Sequence, residues 1–155
     1  MTNLYSTQTR AAFNIRMMNI ADTIALGSTC KRRQAGAVGI DAFRRIVGIG
    51  YNGQPSRFHK DDEFRHCIDA PCPGANDPPG DTSHCEAIHA EVNMVLNSSN
   101  PFSITVVYLT DSPCFRCALV LANLPLLDTV YFRRTYADGS GLSVLGRADI
   151  TIYQI

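Results

Sequence analysis

His89, Glu91, Cys114 and Cys117 are the residues of this 155-residue chain best suited to doing chemistry together. They stand in two short segments, His89-Ala90-Glu91 and Pro113-Cys114-Phe115-Arg116-Cys117. One imidazole and two thiolates form a ligand set for zinc, and three protein ligands leave a fourth position for water, the mark of a catalytic site. Two thiolates offset the charge of the ion, which still acidifies a water bound to it. A carboxylate that is close to such a water without being a ligand is placed to carry protons. The set therefore suits metal-assisted hydrolysis, with Glu91 as the catalytic proton carrier.

Each segment alone is weak. A single C-x-x-C is as often half of a structural zinc site or a redox pair. The competing reading of the whole set is a closed zinc knot with Cys85 as fourth ligand, which leaves Glu91 and Pro113 without a task.

Position matters as much as residue type. Asp111, Ser112 and Pro113 read as the start of a helix, capping residues followed by a proline where no N–H is missed. Cys114 and Cys117 then share one face of the first turn, where the positive end of the dipole favours thiolates. His89 and Glu91 would diverge by about 200° in a regular helix, so they share a site only where the chain enters one.

The elements around these residues follow from periodicity. Phe13, Met17, Ile20 and Ile24 predict a helix over 9–26 with one buried stripe, stopped at Gly27. Ala35–Ile40 and Ile46–Gly50 predict a β-hairpin. Residues 52–83 are rich in Pro, Gly, Asp and His, a loop long enough to be functional or held by something else. A helix over 86–97, a strand over 104–110, a helix over 114–123 and strands over 129–132 and 150–153 follow, with a short helix over 140–145. That order predicts a single α/β domain over residues 1–155, three layers with helices on both faces of a central mixed five-stranded sheet.

Composition sets outer bounds. The 45% apolar and 18% charged fractions are those of a soluble globular chain, and the formal net charge is zero. No global field attracts a nucleic-acid polymer, whereas a small anion needs only a local basic pocket. Met1–Arg10 lacks the apolar core of a secretory signal, and no apolar run approaches a membrane span. Six cysteines without an export signal point to metal ligands and a cytoplasmic protein.

With H-A-E and P-C-x-x-C on the second and third helices of this order, the chain resembles the cytidine deaminase superfamily. Further residues narrow the resemblance to the bacterial and phage branch of the deoxycytidylate (dCMP) deaminases. Gly50-Tyr51-Asn52-Gly53-Gln54-Pro55 is similar to their G-Y-N-G-x-P segment, and Ser28-Thr29-Cys30 before Gly36-Ala37-Val38 to their first helix and strand. His66-Cys67-Ile68-Asp69 with Cys72, then His84-Cys85, resembles the extra Cys/His group of this branch. Val130-Tyr131 followed by Thr135-Tyr136 resembles the strand that brings an aromatic ring near the base.

The resemblance implies zinc-dependent hydrolytic deamination of dCMP to dUMP and ammonia. His89, Cys114 and Cys117 would hold the catalytic zinc, and Glu91 would move protons from water to the ring nitrogen and the departing amine. Asn52 would bind the sugar 3′-hydroxyl, with Ala90 and Tyr136 also contacting substrate. Lys31, Arg32, Arg33, Arg133 and Arg134 read equally as solvated charge or as phosphate ligands. Cys30, Cys67, Cys72, His84 and Cys85 would supply a second, structural zinc, not all of them as ligands. A small nucleotide as partner, no polymer or membrane, and a homo-oligomer, hexameric in some relatives, complete the implication. Its setting is cytoplasmic, the host cytoplasm for a phage-encoded chain.

The resemblance runs from about residue 12 to the end. The sequence departs from the family's pattern at Ser56-Arg57-Phe58-His59 and the insertion through Arg65, where the family commonly has paired glycines and regulated relatives bind nucleotide effectors, so triphosphate regulation is not implied. Rival readings are a deaminase of a 5-substituted dCMP or of another cytosine nucleotide or nucleoside, a tRNA-type base editor, and a non-catalytic zinc-stabilised module. Neutral charge argues against the editor, and an unliganded Glu91 against the module.

Overall fold

The computed structural model describes residues 4–58, 72–78, 81, 83–136 and 139–155. Helix α1 (Leu4–Ala25) precedes a hairpin of β1 (Gly36–Asp41) and β2 (Ile46–Tyr51). Then come α2 (Ala90–Leu96), β3 (Ile104–Asp111), α3 (Phe115–Ala122), β4 (Thr129–Arg134), α4 (Ser140–Arg147) and β5 (Thr151–Gln154). The strands form one sheet in the order β2-β1-β3-β4-β5. β1 runs antiparallel to β2 and β3, while β3, β4 and β5 are parallel. The expected three-layer arrangement on a mixed five-stranded sheet is the fold observed.

Alternation along the strands sorts the core into two layers. Ala37, Val107, Leu109, Val130 and Phe132 pack with Met94 of α2, Leu121 of α3 and Leu145 of α4. Val38, Ile40 and Tyr108 point the other way, beneath Met17, Met18 and Ala21 of α1. β1 is covered on both faces, so all six of its residues are buried.

Two helices sit where large residues could not. The buried line of α1 runs through Met17, Met18, Ala21 and Ala25, while Phe13, Ile20 and Ile24 of the expected stripe lie half-buried beside it. Gly36 is the reason: a Cβ there would lie 2.1 Å from the Ala21 carbonyl oxygen, so the α1 backbone rests directly on β1. Alanines fit that contact, and a periodicity read from bulky residues is displaced by it.

The seat of α2 works the same way. A Cβ on Gly50 would come 2.2 Å from the Met94 nitrogen and 2.4 Å from the Ala90 oxygen. Asn93 and Asn97, one turn apart, donate their amides to the carbonyls of Tyr51 (2.7 Å) and Ile49 (3.4 Å) on the edge strand β2. Gly53 and Ile88 exchange backbone hydrogen bonds of 3.1 and 2.8 Å. That pairing keeps the chain extended up to Ile88, so α2 begins at Ala90 rather than at residue 86. Gly50→Ala is therefore expected to overpack the β2–α2 contact and cost about 1–3 kcal/mol of stability. Urea unfolding measures this, and an unchanged midpoint would show that the helix yields without cost.

Candidate active site

The putting together of the site begins at the carboxyl ends of β3 and β4, where α3 starts and α2 comes alongside. Clefts outside the carboxyl ends of parallel strands are the usual ligand sites of such sheets. His89 is the N-cap of α2 in an extended conformation (φ −72°, ψ 156°), and Glu91 lies in the first helical turn. The change from extended to helical backbone between them is what turns both side chains to one place.

The third helix starts differently from the sequence expectation. Asp111 is the last residue of β3, and Cys114 itself is the N-cap of α3, its sulfur accepting from the Cys117 N–H at 3.5 Å. Asp111 and Ser112 do not cap the helix because the sheet holds them. The Ser112 N–H donates to the Arg134 carbonyl at 2.8 Å, and the Ser112 hydroxyl accepts from the Tyr136 N–H at 2.7 Å.

His89, Cys114 and Cys117 converge, their ligand atoms all within 4.8 Å of one another. The Nδ1 of His89 lies 3.5 Å from the Cys114 sulfur and 3.4 Å from the Cys117 sulfur. Tetrahedral zinc, with Zn–S about 2.3 Å and Zn–N about 2.0–2.1 Å, separates such atoms by about 3.5 Å. The donor set and its spacing fit the ion. The protons tell the same story: Cys114 is lowered to about 4 because the Cys117 thiol and His89 hydrogen-bond to it. Cys117, donating to Cys114 and buried, is pushed well up, and His89 is raised by its bond with Cys114. A cluster that shares protons among close donor atoms is one a divalent cation can enter by displacing them.

Glu91 is buried, with 7% of its surface exposed, and burial raises its pKa above the usual carboxylate range. It lies against Cys117 and His89, which both influence its titration, yet it is outside the ligand group.

A cavity of about 430 Å³ opens over these residues. Asn52, Ala90 and Tyr136 line it, as do Arg33 and Asp111. The Asn52 side chain is locked from both ends. Its oxygen accepts from the Ala35 N–H (2.8 Å) and the Ser28 hydroxyl (2.6 Å), and its amide donates to the Arg33 carbonyl (2.8 Å). The fixed amide has a second N–H, which makes Asn52 a donor toward a bound hydroxyl.

The basic residues part company. Arg32 donates to the carbonyls of Gly74 (3.1 Å), Asp81 (2.7 Å) and Pro78 (2.9 Å), holding that loop. Arg133 pairs with Asp22 of α1 at 2.8 Å, so it points to the other side of the sheet, and Lys31 is exposed. Arg33 remains on the cavity wall, its guanidinium 5.7 Å from the Tyr136 ring centre and paired with Asp111. Arg134 pairs with the same carboxylate at 3.1 Å. Sequence reasoning missed Asp111 in this role. The signal was present in a run of cations at 31–33 and 133–134 that needed a buried counter-charge.

The remaining Cys/His residues are split. Cys30, Cys72 and Cys85 are free thiols, and Cys85 is raised first by burial and then by its neighbours Cys72 and Cys30. His84 is exposed instead, with Nδ1 3.3 Å from the Asp77 carboxylate. Cys67 lies outside the described residues.

Residues 12–133 match the family described as the cytidine and deoxycytidylate deaminase zinc-binding region. A deoxycytidylate deaminase of Mycobacterium phage D29 is 31% identical over 115 residues, 74% of this chain and 89% of that protein. A probable deoxycytidylate deaminase of Drosophila melanogaster is 33% identical over 113 residues, and the chain spans only 51% of its length. Among solved structures, the dCMP deaminase of cyanophage S-TIM5, in complex with dCMP and dUMP, aligns over 100% of both chains. Its TM-score is 0.68 at 24% identity, a likeness of fold. With a family match that spans both segments of the ligand set, and a phage relative matched over most of its length, this chain belongs to the cytidine and deoxycytidylate deaminase family.

Proposed function

We propose that the chain catalyses the zinc-dependent hydrolytic deamination of dCMP to dUMP and ammonia. The observation that carries this reading is the convergence of His89, Cys114 and Cys117, spaced as zinc ligands, with a buried Glu91 beside them on a cavity of nucleotide size. His89, Cys114 and Cys117 would hold a zinc ion, whose chemistry would be to acidify a bound water. Glu91 takes one proton from the attacking water and delivers it to the ring nitrogen next to the amino-bearing carbon. Once the oxygen has bonded to that carbon, Glu91 takes its second proton and hands it to the amine, which leaves as ammonia when the C–N bond breaks. Its raised pKa suits this exchange, since a proton carrier works best when its affinity lies nearer the operating pH. Asn52, Ala90, Tyr136 and Arg33 line the cavity, where Asn52 would offer its free N–H to the sugar, Ala90 and Tyr136 would border the base, and Arg33 would meet the phosphate.

Two relatives support the substrate. The phage D29 protein is a deoxycytidylate deaminase, and the cyanophage structure contains dCMP and dUMP. A second, structural zinc is part of the same reading, resting on the number of Cys and His residues around the 52–85 segment. Among the described residues Cys30, Cys72 and Cys85 do not themselves close into a ligand group. Cys67 is the candidate for its fourth ligand, while His84 is turned toward Asp77. Homo-oligomeric assembly and a cytoplasmic setting, the host cytoplasm for a phage-encoded chain, complete it. Among the described residues no helix is long and apolar enough to cross a membrane.

The expected substrate order is dCMP well ahead of deoxycytidine and of a cytosine oligonucleotide. One charge-assisted contact to the phosphate contributes roughly 1.5–3 kcal/mol, about tenfold to a hundredfold in kcat/KM. Ammonia release from the three substrates in one buffer measures it. Equal efficiency on the nucleoside refutes phosphate recognition, and preference for the oligonucleotide moves the protein to the base editors.

A further inference from the structure

We propose that Asp111 is a positioning residue for nucleotide recognition that acts through Arg33, an inference that rests on the dCMP reading of the site. Asp111 is only 7% exposed at the end of β3, yet it lines the cavity. A buried carboxylate at that place needs partners, and it has two guanidiniums. Arg33 bonds one of its oxygens, while Arg134 spans both, Nε to Oδ1 at 3.1 Å and a terminal nitrogen to Oδ2 at 3.2 Å. The Thr110 hydroxyl donates to Oδ2 at 3.0 Å and itself accepts from the Gly36 N–H at 3.0 Å, anchoring the carboxylate to β1. Asp111 is thus held by the sheet and in turn holds Arg33.

The charges in this cluster do not cancel. Two guanidiniums share one carboxylate, which leaves one positive charge beside the cavity. Arg33 is the member placed to present it, since it lines the cavity and lies over Tyr136, whereas Arg134 does neither. An arginine side chain of its length loses much rotamer freedom when it binds an anion, and a carboxylate that fixes it beforehand removes part of that cost. Arg134 has a different part. By sharing Asp111 it keeps the Arg33–Asp111 pair from becoming a neutral unit with nothing left for a phosphate.

The experiment compares wild type, Asp111→Asn, Arg33→Ala, the double variant and Arg134→Gln. The readout is kcat/KM for dCMP divided by that for deoxycytidine, with KM and kcat separated. Asp111→Asn is expected to lower the ratio about tenfold, the scale of one hydrogen bond to a charged group, through KM of the nucleotide. On the Arg33→Ala background the same change should lower it no further, because a positioning residue has no effect once its target is gone. Arg134→Gln, at a side chain 53% exposed and so little risk to folding, should also lower the ratio. A merely structural role would depress both substrates alike and leave the ratio where it was, which overturns the proposal. So does a ratio that rises in Asp111→Asn, or a further fall on the Arg33→Ala background. Should Asp111→Asn fail to fold, an unchanged ratio in Arg134→Gln overturns it. A wild-type ratio near one sinks the nucleotide reading and this proposal together, whereas a high wild-type ratio that falls only in Arg33→Ala sinks the proposal alone.

Discussion

Glu91→Gln is expected to keep its zinc and its fold and to lose about 10²–10⁴-fold in kcat on dCMP, the span usual for a lost general acid–base. Gln has the size of Glu and still forms hydrogen bonds, so the packing around this buried side chain stays intact. What it lacks is the proton. The metal group does not include Glu91, and the spacing of His89, Cys114 and Cys117 does not depend on it. Removing a buried carboxylate whose charged form is disfavoured by burial also relieves a desolvation cost, so the variant should be no less stable than wild type. Metal analysis, thermal unfolding and ammonia release together check this. Turnover close to wild type in a zinc-loaded Glu91→Gln protein would falsify the role given to this residue.

Loss of the metal should have the largest effect of all. His89→Ala or Cys114→Ala is expected to lower zinc from about two ions per chain to about one and to bring turnover below detection, since two ligands are too few for a stable site. Cys114→Ala removes more than a ligand. Its sulfur also accepts the Cys117 N–H at the start of α3, so this variant should lose a further ~1 kcal/mol as a helix cap. Cys67→Ser should instead remove the other zinc while His89, Cys114 and Cys117 retain theirs. A fully active protein with one zinc per chain rules out the structural site, and an active Cys114→Ala protein rules out the catalytic one.

The order of elements was legible because the central strands carry short apolar runs, at 37–40, 106–109 and 130–132, and most of the segments between elements carry Gly, Asn or Pro. The convergence of His89, Cys114 and Cys117 was legible for another reason. Zinc chemistry restricts residue types severely, and H-x-E and C-x-x-C are short enough that local backbone alone nearly determines their geometry. Even the requirement that His89 and Glu91 straddle a helix start came from helix geometry alone.

Long-range packing escaped that kind of reasoning. The buried face of α1 keeps Met17 of the expected stripe but runs on through Met18, Ala21 and Ala25 rather than Ile20 and Ile24, because the contact with Gly36 of β1 depends on two segments meeting in space. Asp111 looked like a helix cap, a role its type favours everywhere, until β4 supplied Ser112 with sheet partners and Cys114 took the cap. Five cations were indistinguishable along the chain; only the fold sends Arg32 to a loop, Arg133 to α1 and Arg33 to the cavity. Short-range chemistry, the residue types and spacing that suit a metal, and the order of elements along the chain were determined by the sequence by itself. The partner of each charge was decided by the tertiary structure, because a long flexible side chain samples many places and its ion pair is selected by whatever counter-charge the fold buries within reach.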